Sequence, residues 1–177
     1  MGRDSGVVLN EKNRYIFTSH LLGEGSKWRS VVRQGFMTDK TYEGSFHIVG
    51  GDFSRAGEAS TELKTILLNA GVEDEFVRRV AIATFEAEMN IMIYATAGIL
   101  RYIISPEEIR IIAEDMGPGI EDIELAMQEG YSTAPDWVRE MGWGAGMGLP
   151  NMKKNADIFR IDSVVGEGTT VEMIIKR

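Results

Sequence analysis

From Val80 to Leu100 the chain reads VAIATFEAEMNIMIYATAGIL, an apolar run that only Glu86, Glu88 and Asn90 break in earnest. A helix this apolar has to be covered on most of its sides. The fold must therefore supply a layer to bury it and polar partners for the three interruptions, since an ionised carboxylate buried alone is costly. Glu86 and Asn90 are four apart and share one helix face, whereas Glu88 points elsewhere. One reading of the pair is a general base beside an amide oxygen that ligates a hard cation such as Mg2+. The other is a polar stripe facing solvent.

The flanking sequence says what that layer is. YEGSFHIV, 42–49, alternates as a strand and ends at GGD. SRAGEASTELKTILLNAG, 54–71, predicts a helix closed by Gly71, and VEDEF, 72–76, opens the central helix with acids in its first turn, which then runs to about Ala97. ILRYIIS and EEIRIIAED predict paired strands turning at Ser105 and Pro106. After a glycine-rich region with one short helix at 120–128 come a helix from Pro150 to Ala156, a strand DIFRIDSVV, a GEG turn and a closing strand TTVEMIIKR. Strands in adjacent pairs with helices in separate runs imply an α+β fold, a two-layer α/β sandwich with a mixed, mostly antiparallel sheet and helices on one face.

Composition excludes several classes. The 177 residues contain no cysteine, so disulfides and thiolate metal centres are out, and only two histidines, His20 and His47, which disfavours a histidine metal centre. A net charge of −8 disfavours nucleic acid as a partner. No apolar run is long enough to span a bilayer and no secretory leader opens the chain, which makes the cytoplasm the expected location and a membrane partner unexpected. Charge is unevenly spread: residues 1–41 hold seven basic and four acidic side chains, residues 42–177 twelve and twenty-three. The first segment, with no sustained period and a second start at Met37, is expected to be an N-terminal extension dispensable for the main activity. The principal domain is then 42–177.

Two further motifs carry chemistry. In DMGPGI, 115–120, a strand ends in an acid and enters a turn; Pro118 sets φ and Gly119 accepts the positive φ of a type II turn. Gly117 and Gly119 strip side chains from beside Asp115, whose acceptor-only carboxylate suits an exocyclic amine such as that of adenine, although an ordinary turn explains the motif too. In GWGAGMGLPNMKK, 142–154, alternate glycines run into a helix; bare N–H groups at a helix N-terminus make an anion site. No GxxxxGK[ST] marks a P-loop, and the stretch does not follow a strand as a dinucleotide fingerprint should. Lys153 and Lys154 read as a solvated helix face.

An E-x-x-x-N helix, then DxGxGI, a lid segment, GxGxGL, and a strand with GxGTT resemble, over about residues 42–177, the GHKL or Bergerat-fold ATP-binding domain of histidine kinases, gyrase, Hsp90 and MutL. NIMIYATAG, AMQEGYSTA and GLPNMKKNADIFRIDSVVGEGTTVEM are most similar to its anti-sigma-factor serine/threonine kinase branch. The resemblance implies ATP and Mg2+ as cofactors, Glu86 as general base, Asn90 as Mg2+ ligand and Asp115 as adenine reader. It further implies Gly117, Gly119, Gly144, Gly146 and Gly148 lining the nucleotide, Thr169 supporting Asp115, Tyr94 near the phosphates and a lid from about Met127 to Ala145. The implied reaction carries the ATP γ-phosphate to a serine or threonine of a regulatory protein partner, an anti-sigma antagonist or its like, with a sigma factor as a second partner and a homodimer allowed. A non-catalytic, nucleotide-gated switch that sequesters such a partner is the competing reading. Trp143, unusual in a glycine loop, is expected either at a partner contact or packed against the lid.

Overall fold

The computed structural model describes residues 7–9, 14–18 and 41–177; His20 and the second start at Met37 lie outside them. Among the described residues seven strands form one sheet: β1 (Val7–Leu9), β2 (Arg14–Thr18), β3 (Thr41–Val49), β4 (Ala97–Ile104), β5 (Glu108–Asp115), β6 (Ile158–Val164) and β7 (Gly168–Lys176), in the order β1-β2-β3-β4-β5-β7-β6. All neighbours are antiparallel except β2 and β3, which run parallel with Arg14 opposite Thr41. The two N-terminal strands, of three and five residues, are too short to show a period in sequence. Helices α1 (Glu58–Asn69), α2 (Asp74–Tyr94) and α5 (Gly148–Asn155) form the second layer, and the short α3 (Ile123–Ala126) and α4 (Asp136–Glu140) lie in the glycine-rich region. The expected two-layer α+β sandwich is thereby realised, with helices on one face.

The strand alternation sets which face is covered. Tyr42, Phe46 and Ile48 of β3, Leu100, Tyr102 and Ile104 of β4, Ile109 and Ile111 of β5 and Met173 and Ile175 of β7 are buried against α1 and α2, where Leu63, Leu67, Val77, Val80 and Ala83 meet them. The opposite face carries cross-strand ion pairs, Arg101 with Glu114 and both Arg110 and Arg160 with Glu172. Arg79 of α2 ties the layers at their far end by pairing with Asp157, whose carboxylate also accepts the Lys176 N–H at 2.7 Å. Among the described residues no helix is long and apolar enough to cross a membrane.

Several element boundaries differ from expectation, each for a local reason. The central helix stops at Tyr94 rather than near Ala97, where Ala95 turns extended. The GGD turn after β3 packs on its end: the Gly51 N–H bonds the Met92 carbonyl, the Gly50 N–H bonds that of Thr96, and a Cβ on Gly50 would stand 1.8 Å from the Ala95 oxygen. ATAG therefore belongs to β4 and its approach. The preceding helix starts at Glu58 instead of Ser54, because Gly57 takes a left-handed φ of 84° and breaks it from a short 3-10 turn at Phe53–Arg55. Helix α3 is shorter than the 120–128 expected, with Asp122 capping it through a 2.9 Å bond from the Leu125 N–H. Helix α5 begins at Gly148, two residues before Pro150.

Candidate functional site

Helix α2 carries its three polar interruptions in two directions. Glu88, only 1% exposed, turns away from the cavity toward α1, where its two oxygens accept the N–H groups of Ala59 (3.1 Å) and Ser60 (3.3 Å). Those are orphan donors of the first turn of α1, whose N-cap is a glycine with no side chain to offer. Burial pushes the Glu88 carboxyl above the usual range, and the N–H groups of Ala59, Ser60 and Gly57 pull against that shift. The sequence signal for this role was an acid two residues from Glu86 in a buried run, on the other side of the helix, facing a helix start without a cap.

Glu86 and Asn90 face α5 and a cavity of about 770 Å3. The Asn151 Nδ2 donates to Glu86 Oε1 at 2.6 Å, and Gly148 lies so close to Asn90 that a Cβ there would stand 2.7 Å from Asn90 Oδ1. The first turn of α5 thus meets α2 twice, Gly148 at Asn90 and Asn151 at Glu86. Asn151 was not singled out from sequence, since a contact 65 residues distant leaves no local signature.

At the other end Asp115 terminates β5. Its Oδ1 accepts the N–H groups of Gly117 (2.8 Å) and Thr169 (3.3 Å), and neither bond uses Oδ2. Burial pushes this carboxyl above the ordinary aspartate range, and the two N–H groups partly offset the rise. The DMGPGI turn is clamped to the β6–β7 hairpin: the Gly166 N–H bonds the Pro118 carbonyl, and a Cβ on Gly119, whose φ is 73°, would meet the Val164 carbonyl at 2.3 Å. Ser163, also unforeseen, knots this corner. Its hydroxyl accepts the Ile120 N–H at 2.8 Å, donates to the Gly168 carbonyl at 3.1 Å and lies 2.8 Å from Thr169 Oγ1.

Between the two ends runs the glycine strap. Gly142, Gly144 and Gly146 all take left-handed φ, at 87°, 70° and 74°, while Gly148 opens α5. A Cβ at Gly144 would strike Ala134 at 2.5 Å and one at Gly146 the Tyr131 carbonyl at 2.4 Å, so the strap folds onto the segment before it. Tyr94 and Ser132 bring their hydroxyl oxygens within 3.2 Å, which fastens that segment to the end of α2. Trp143 packs its ring 5.7 Å from Phe85 of α2, and its backbone N–H bonds the Val138 carbonyl at 3.1 Å, so it touches both the central helix and the segment before the strap. Trp137 of α4 is exposed, its ring edge-on to Phe53. Lys153 and Lys154 are exposed, as expected.

The cavity is lined by Glu86, Asn90, Tyr94, Asp115, Gly119, Gly144, Gly146, Gly148 and Thr169 together. Gly117 stands outside the lining, with its N–H turned to Asp115. The chamber has an acceptor carboxylate at one end, a helix N-terminus stripped of side chains at the other, and a carboxylate and an amide side by side on α2. Such a chamber can hold an amine-bearing ring and an anionic tail, and can take up a proton beside the tail.

No family model matches the chain. Against curated proteins it is 38% identical over 100 residues to the serine/threonine-protein kinase RsbT of Bacillus subtilis, covering 54% of this chain and 69% of that protein. It is 32% identical over 119 residues to the anti-sigma F factor of Pasteuria penetrans, covering 67% and 69% of the two chains. The anti-sigma F factor of Anoxybacillus flavithermus matches at 32% over 114 residues, covering 64% and 67%. On the strength of these relatives, the chain belongs to the anti-sigma-factor serine/threonine kinase branch of the GHKL superfamily.

Proposed function

We propose that the protein binds Mg-ATP in the chamber between α2, α5 and the Asp115 turn, and moves the γ-phosphate onto a serine or threonine hydroxyl of a regulatory protein. In this reading Asp115 Oδ2 accepts the adenine amine, with Oδ1 already held by Gly117 and Thr169. Gly119 gives the ring room to approach, and the bare backbone of Gly144, Gly146 and Gly148 leads the phosphates to the start of α5. Asn90 Oδ1 offers one oxygen ligand to Mg2+. Among the described residues no three His, Cys, Asp or Glu side chains gather to hold a metal, so the rest of the ion's shell falls to phosphate and water oxygens, as this cation prefers. Mg2+ there would neutralise charge on the phosphates.

Glu86 is the base. It takes the proton from the acceptor hydroxyl as that oxygen bonds to the γ-phosphorus and the bond to the ADP oxygen breaks, so the charge on the leaving group is matched by the proton held on the carboxyl. The observation that supports this most is the shared placement of Glu86 and Asn90 against one turn of α5, at the phosphate end of a chamber whose far end is Asp115. Residues 1–41 are assigned the role of an extension outside nucleotide binding, and the physiological acceptor that of an anti-sigma antagonist or similar regulator.

Incubation of the full chain with [γ-32P]ATP, Mg2+ and a cell lysate tests the reaction. A labelled protein band that disappears with Glu86→Gln, while ATP still binds, supports the kinase. Nucleotide-dependent capture of a protein without any label would establish the gated switch in its place. A chain from Thr41 onward that no longer binds ATP would overturn the role given to the extension.

A further inference from the structure

The contact between α5 and α2 has two points, and only one of them is explained by room for a nucleotide. Gly148 approaches Asn90 because it lacks a side chain. Asn151 instead reaches out, and its amide donates to Glu86 Oε1 at 2.6 Å, the short end of the range for a bond to a carboxylate. Asn151 is itself held from both sides along the helix: its N–H bonds the Met147 carbonyl at 2.8 Å, and its carbonyl accepts the Asn155 Nδ2 at 2.8 Å. The Glu86 side chain is thus oriented by the helix whose first residue closes the phosphate end of the chamber.

We propose that Asn151 is a positioning residue that couples the phosphate-loop helix to the base. The inference rests on Glu86 being that base. The bond occupies Oε1 and fixes the plane of the carboxylate, which leaves Oε2 to receive the acceptor's proton. An amide suits this role better than any ionisable group. It donates a hydrogen bond to the carboxylate and has no proton of its own to exchange, so it orients Glu86 without competing for the acceptor's proton. Because Gly148 and Asn151 are three residues apart on one helical turn, a shift of α5 when the strap rearranges moves Glu86 with it. Orientation of the base then depends on the loop being in place, and a base left out of line is a poor one.

Two measurements on the full chain test this. In the 15N-labelled protein without nucleotide, the Asn151 side-chain amide resonance is expected to lie away from that of an exposed asparagine, and to return toward it in Glu86→Ala. A resonance indifferent to Glu86 overturns the bond. With the lysate acceptor and saturating Mg-ATP, Asn151→Ala is expected to lower transfer about tenfold while leaving ATP affinity within about twofold. The double variant with Glu86→Gln should be no slower than Glu86→Gln alone. Asn151→Asp, which replaces the donor with a second carboxylate that repels the first, should lower transfer at least as much as Asn151→Ala. Wild-type rates in both Asn151 variants, with Glu86→Gln inactive, overturn the positioning role alone. Should Glu86→Gln itself transfer phosphate normally, the base assignment fails, and the amide resonance still reports on the bond by itself.

Discussion

Gly148 sits on Asn90 with no room between them: a Cβ would be 2.7 Å from Asn90 Oδ1, the oxygen assigned to Mg2+. Alanine favours a helix over glycine by about 0.5–1 kcal/mol, so Gly148→Ala is expected to fold with near-native stability while its added methyl displaces the Asn90 amide. Affinity for Mg-ATP should fall at least about tenfold. Affinity for ATP in EDTA should fall much less. Calorimetric titrations under the two conditions separate a lost cation ligand from a loop that has simply been blocked, and equal losses in both would refute the assignment of Asn90.

Glu88 and Glu86, two residues apart, are expected to behave oppositely. Glu88→Ala removes the acceptor for two buried N–H groups at the start of α1, and should lower the unfolding free energy by about 2–4 kcal/mol. Glu86→Ala, at a half-buried position facing the cavity, should change it by less than about 1 kcal/mol. Urea denaturation of the two variants makes the comparison. A stability loss larger for Glu86 than for Glu88 would contradict the division of labour along α2.

The Glu62 carboxyl on α1 is pushed up to about 7, first by burial and then by the nearby charge of Glu58. A folded-state value above the unfolded one means that the native state binds the proton more tightly, so this group destabilises the fold as pH rises from its ordinary titration range through about 7. Glu62→Gln, which keeps the shape and removes the ionisation, should therefore raise the urea midpoint at pH 8 and leave it unchanged at pH 4. An equal effect at both pH values would mean that the side chain acts through packing and not through charge.

Asp115 is also raised, by burial against the partial relief of its two N–H bonds. The acceptor role needs the ionised form. ATP affinity should accordingly weaken as pH falls, starting at a higher pH than an exposed aspartate would give, and Asp115→Asn should bind weakly with no such dependence. Fluorescent-nucleotide titrations across pH 4–8 would show it. Parallel curves for the wild type and Asp115→Asn would remove Asp115 from the adenine end.

How much of this could be read from the chain depends on distance along it. Helices α1 and α2 and strands β3 to β7 carry periods long enough to identify, and Glu86, Asn90, Asp115 and the glycine loops lie in compact motifs whose order is distinctive. Helix α3 was expected over 120–128 and keeps only four residues, while α4, of five residues, is shorter than any helical repeat can establish. The start of α1 was misplaced because Gly57 takes a left-handed φ, and the end of α2 because a contact from elsewhere sets it, the GGD turn on Met92. Asn151 and Ser163 escaped notice for the same reason. Each is an ordinary polar residue until the fold sets it against Glu86 in one case and against Ile120 and Thr169 in the other.

The three left-handed glycines of the strap place its geometry in the main chain, and this changes what evolution and engineering can do with the residues between them. Trp143, Ala145 and Met147 alternate with positions whose backbone angles or close contacts leave no place for a side chain. Substitutions that keep the curve of the strap therefore belong between the glycines and not on them.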